Sequence, residues 1–174
     1  MLPALARDLE RLEARRRVLL ARVRALTPGQ RTFRPAPDRW SVLDVVEHLV
    51  LVDEAASGAV RGPAGGAPRP AAGRLRYLGL LAVLRSPIRV RVPTRAVLPS
   101  GGADLAGLEA RWVEARAALA EWLEGLGPEM VRRPVFRHPV VGWLTVRQTL
   151  GFLGAHQAHH EAQVRRIERA PGFR

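Results

Sequence analysis

Over the first 26 residues, leucine-type side chains recur three and four positions apart: Leu2, Leu5, Leu9, Leu12, then Leu19, Val23 and Leu26. The same period returns after Asp104, with Leu105, Leu108, Trp112, Ala115, Leu119, Trp122 and Leu126. A strand alternates its side chains between two faces, so neither set could line one face of a strand; a helix aligns both. Each stripe has to be buried against another helix, which makes the chain a bundle. Arg16 interrupts the first stripe. An Arg there snorkels its head past an apolar stem, or, less commonly, points into a polar cavity and binds an anion.

Punctuation divides the remainder. Thr27-Pro28-Gly29 ends the first helix. Ser41 reads as an N-cap with Asp44 at the third helical position and Trp40 able to staple onto Val45, so a second helix runs from about Val42 to Ser57. Gly58 to Gly73 is Gly, Pro and Ala with a few Arg, which predicts a mobile loop. A short helix follows over Arg74 to Arg85. Ser86 to Pro99 carries three prolines and is expected to be extended without joining a central strand. Asp104 caps the next long helix, which Gly127-Pro128 ends. A connector, Arg132 to Trp143, leads to a capping box of Thr145 and Gln148, and the last helix reaches about Arg169. The expectation is an all-α, single-domain chain (residues 1–174): an antiparallel-style four-helix bundle, no sheet, and a long connection between helices two and three.

Composition narrows the chemistry. At 47% hydrophobic the chain is too apolar to be disordered, and it has no Cys, so thiolate ligands and cysteine nucleophiles are excluded. Any thiol chemistry would need an external thiol. The longest apolar run, Tyr77 to Leu84, has eight residues against the ~20 needed to cross a bilayer. The N-terminus lacks the apolar core of a signal peptide, so the expected location is cytoplasmic. All 28 basic residues are Arg against 16 acidic ones, a net charge of +12. The densest groups, Arg15-Arg16-Arg17 and Arg165-Arg166 with Arg169, sit among Glu on helical segments. Solvated helix faces explain them better than a nucleic-acid patch does.

Five histidines occur, at 48, 138, 156, 159 and 160. With the last helix laid out at about 100° per residue and His156 at the origin, His160 falls near about +40°. Both lie in the arc of Phe152, Leu153, Val164 and Ile167, the face that meets the other helices, with His159 on its edge. Two imidazoles one turn apart can chelate a divalent ion, whereas two stacked core histidines would need more hydrogen-bond partners than an apolar core supplies. His48, on the second helix, is the candidate third ligand. Asp44, one turn earlier, is read either as its orienting partner or as a plain cap. Gln163 lies on the same buried face and is a candidate to hydrogen-bond a ligand His or a substrate. His138, before Pro139, is expected to face solvent. The zinc-protease pattern is excluded because Gln157 stands where its Glu base would be.

Trp40-Ser-Val-Leu-Asp-Val-Val-Glu-His48-Leu, the segment with Pro87, Pro93 and Pro99, His138-Pro-Val-Val-Gly142-Trp-Leu-Thr, and His156-Gln-Ala-His-His160-Glu-Ala-Gln163 together resemble the DinB/YfiT-like superfamily of four-helix bundles. The resemblance implies that His48, His156 and His160 are metal ligands for a divalent ion, Zn or Ni, in a protein that is often a homodimer. It also implies metal-dependent transfer or isomerisation with a low-molecular-weight thiol such as bacillithiol or mycothiol; a metal-activated hydrolase is the close variant. A non-catalytic, stress-related bundle that holds a metal or a ligand is the alternative, and nucleic-acid binding through the Arg-rich surface the third reading. The 58–73 insert lies outside the pattern.

Overall fold

The computed structural model describes residues 1–62, 71–86 and 94–174. Four long helices form the bundle: α1 (Pro3–Arg24), α3 (Val42–Val60), α5 (Leu105–Glu124) and α6 (Val146–Glu168). Two shorter ones, α2 (Pro28–Thr32) and α4 (Ala71–Arg85), flank it. The stripes do what their period demands: Leu5, Leu9, Leu12, Leu19 and Val23 of α1 are buried, as are Leu108, Trp112, Ala115 and Leu119 of α5. Arg16 turns its guanidinium to Glu13, 2.7 Å away and on the same helix, with 12% of its side chain exposed, so it is an internal ion pair rather than a head free in solvent or an open anion site.

The caps read from sequence are present. Ser41 Oγ accepts from Asp44 N–H while the Asp44 carboxylate accepts from Ser41 N–H, and Thr145 and Gln148 make the same reciprocal pair. Asp104 caps α5. Several boundaries differ from expectation. Thr27-Pro28-Gly29 does not simply stop α1; Thr27 and Gln30 form a further capping box that starts α2. Helix α5 stops earlier, at Glu124 with Gly125 as its C-cap. The predicted 58–73 loop is narrower, because α3 continues to Val60 and α4 begins at Ala71; residues 63–70 lie outside the described residues. Of the segment expected to be extended, 87–93 also lie outside them, and Arg95–Val97 form a 3-10 turn.

One correction concerns the sheet. The 132–143 connector was expected to carry none, yet Pro134–His138 (β1) and Gly142–Thr145 (β2) pair antiparallel, with Phe136 opposite Leu144 and His138 opposite Gly142. Two strands are marginal alone. This hairpin is stabilised by burying Val135, Phe136 and Leu144 in the same core as Phe152 and Leu153. Gly142 sits at φ +76°, a left-handed turn conformation that favours glycine.

Ion pairs report the helix directions. Arg15 meets Glu161 and Arg22 meets Glu168, so α1 and α6 run parallel. Glu54 meets Arg111 and Ser57 Oγ donates to Ala115 C=O, so α3 and α5 are parallel too. Arg24 with Glu109, and Glu13 near Arg116, make α1 antiparallel to α5. The antiparallel expectation therefore fails for both the α1–α6 and the α3–α5 pairs: the long connection after α3 returns the chain to the end where α3 began, and α5 starts there. His48 of α3 consequently faces His156 and His160 of the oppositely directed α6.

Candidate metal centre

Three imidazoles converge inside the bundle. His48, His156 and His160 are 3%, 9% and 7% exposed. The Nε2 atoms of His48 and His160 each lie 3.2 Å from Nε2 of His156, and one nitrogen from each ring falls within 4.8 Å of the other two. The far nitrogens of two rings are tied down. His48 Nδ1 donates to the Val97 carbonyl at 2.7 Å, and His160 Nδ1 donates to Gln163 Oε1 at 2.8 Å. Both acceptors fix the Nδ1–H tautomer, leaving a lone pair on each inward Nε2.

Three inward nitrogens cannot satisfy one another. His156 Nε2 can donate one proton to one neighbour, so at least one buried lone pair has no donor. A cation at the centre would accept all three, which is the test a neutral His₃ donor set passes. Burial lowers the pKa of all three rings. For His156, burial is reinforced by His160 and His48 and holds it well below the ordinary value. His160 is pushed by burial and by His48 down to about 3, against the opposing effect of the hydrogen bond it donates to Gln163. Neutral imidazole is the form that binds a metal.

The surroundings amend the sequence reading in four places. Asp44 does not orient His48; it serves Ser41 and pairs with Arg34 at 2.8 Å, while the Val97 carbonyl holds the ring. Gln163 touches a candidate ligand, one of its two expected roles. His138 is buried rather than solvent-facing: its Nδ1 accepts from Val140 N–H at 3.2 Å, which folds the loop over the ring and sets it 4.8 Å from the Phe152 ring. His159 is also buried, and its Nδ1 donates to the Leu84 carbonyl at 3.0 Å, tying α6 to the end of α4. Trp40, read only as a staple, lies against His48 and His160 with ring centroids 5.0 and 6.2 Å away.

All three imidazoles line a cavity of about 940 Å³. Its wall is largely apolar, with Val52, Leu80, Leu84, Phe136, Phe152 and Ile167 among the lining residues. That size suits a small organic molecule. No helix of the described residues is long and apolar enough to cross a membrane.

Two solved structures are similar over nearly the full chain. TT2238, described as a four-helix bundle protein, is 26% identical over 93% of this chain and 98% of its own, with a TM-score of 0.61. YfiT from Bacillus subtilis, described as a probable metal-dependent hydrolase with an unusual four-helix bundle topology, is 20% identical over 100% of this chain and 91% of its own, with a TM-score of 0.59. No curated protein matches. With the DinB superfamily profile matching residues 11–164, the chain belongs to the DinB superfamily.

Proposed function

We propose that His48, His156 and His160 hold one divalent ion, Zn or Ni, and that the protein is a metal-dependent enzyme acting on a small molecule in the adjoining cavity. The observation that carries this reading is the convergence of three buried imidazole nitrogens beside a largely apolar cavity. YfiT, described as a probable metal-dependent hydrolase, supports it at the level of shared fold. When bound, a divalent ion supplies Lewis acidity, polarising a carbonyl and lowering the pKa of a water or thiol. The chain's own residues supply the rest. Val97 and Gln163 orient two of the imidazoles, Trp40 and Phe152 cover the rings, and the cavity wall limits water.

The attacking group comes from outside the chain, as water or as a low-molecular-weight thiol such as bacillithiol. The absence of Cys favours that division of labour. Elemental analysis of protein purified without a metal-affinity tag tests the centre. One equivalent of metal is expected in the wild type and loss of most of it in His48→Ala and His156→Ala; stoichiometric metal in both variants would overturn the proposal. Metal-dependent cleavage of a small ester without added thiol would mark a hydrolase. Electrophile consumption that needs both metal and thiol would mark a transferase.

A further inference from the structure

The described residues lining the cavity include three arginines, Arg39, Arg137 and Arg166, against a single carboxylate, Asp38. Arg39 already lies 3.6 Å from Asp38. Arg137 and Arg166 are exposed and make no ion pair with a described residue, so they stand where the cavity opens to solvent. Across the helices the arrangement is different: Arg22, Arg24 and Arg111 are each matched to a Glu. Arg137 and Arg166 thus set a positive rim on a largely apolar chamber.

We infer that the cavity takes an amphiphilic anion, a molecule with an apolar body and a carboxylate-type head, the head held by Arg137 and Arg166 and the body against Phe136, Phe152 and Leu84. Two guanidinium groups can grip a carboxylate through charge-assisted hydrogen bonds, whereas the one lining carboxylate that could take a cationic head, Asp38, already lies beside Arg39. Arg166 lies six residues beyond His160, about 9 Å along α6, which sets its backbone apart from that of the imidazole cluster. This rests on the cavity being the substrate site proposed above, but not on the metal.

Calorimetric titration of metal-free protein with octanoate, 1-octanol and octylammonium tests it. Octanoate is expected to saturate the site at least tenfold more tightly than octanol, and octylammonium to fail to bind. Arg137→Ala and Arg166→Ala should each weaken octanoate about tenfold while leaving octanol unchanged. Equal affinity for octanoate and octanol, no saturable octanoate binding, or unchanged affinity in both Arg variants would overturn it. Metal content in the same preparations reports separately on the metal reading, so the two can fail independently.

Discussion

At the scale of single residues, the centre depends on groups that only orient the imidazoles. Gln163 accepts from His160, so Gln163→Leu should lower metal affinity about 10–100-fold without removing a ligand, read by competition with a chromogenic chelator. Protonation gives a second prediction. In the metal-free protein His48, His156 and His160 have pKa values below the ordinary 6.5, with His160 at about 3. Above pH 6.5 neither state binds these protons, and their contribution does not vary with pH. Below it the unfolded chain takes up protons that the buried rings refuse, so stability should fall from about pH 6.5 towards pH 3. Urea denaturation across that range checks the slope, which should shrink in His160→Asn. The histidine pair on one helix face was legible from the period alone. The Val97 carbonyl was not, because any residue offers a carbonyl and only the path of the chain brings this one to His48.

Among elements, the caps and one close approach decide stability. Ser41→Ala removes the acceptor for Asp44 N–H and a partner of the buried Asp44 carboxylate, and should cost about 1–2 kcal/mol by chemical denaturation. Gly151 marks where α4 lies against α6: a Cβ there would come within 2.6 Å of the Tyr77 hydroxyl, which donates to Gln148 C=O. Gly151→Ala should therefore displace the Tyr77 hydroxyl from Gln148 C=O, a loss of about 1 kcal/mol that the similar gain of Ala over Gly inside a helix offsets. By urea denaturation the single variant should be near neutral, and Gly151→Ala with Tyr77→Phe more stable than Gly151→Ala alone. Equal stability of the single and double variants would show that the hydroxyl does not meet this position. The capping boxes at Ser41 and Thr145 could be read locally because each is completed within four residues. The β1–β2 hairpin could not, since its strands are short and are stabilised by Phe152 and Leu153, which lie in the following helix.

Across the whole molecule, one buried network joins three helices. Asp53 of α3 accepts from Trp112 and lies 2.8 Å from Arg116, both on α5, while Glu13 of α1 stands 3.9 Å from the same guanidinium. Burial pushes the Asp53 carboxyl up, against the opposing pull of Arg116. Asp53→Ala would leave Arg116 buried without its partner and should cost about 3–5 kcal/mol, measured by urea unfolding. Replacing the pair together, Asp53→Ala with Arg116→Met, should cost less than that. No local pattern announced this network, because Asp53 and Arg116 stand 63 residues apart and meet only where α3 packs on α5. The sequence by itself determined the helical character, the starts of the four long helices and the shared face of His156 and His160, since period and caps act over one or two turns. Only the tertiary structure decided that α3 runs beside α5 in the same direction, that His48 reaches the pair on α6, and that His138 is covered. Those outcomes depend on where a long connection returns the chain, a matter of packing between distant segments that no local spacing encodes.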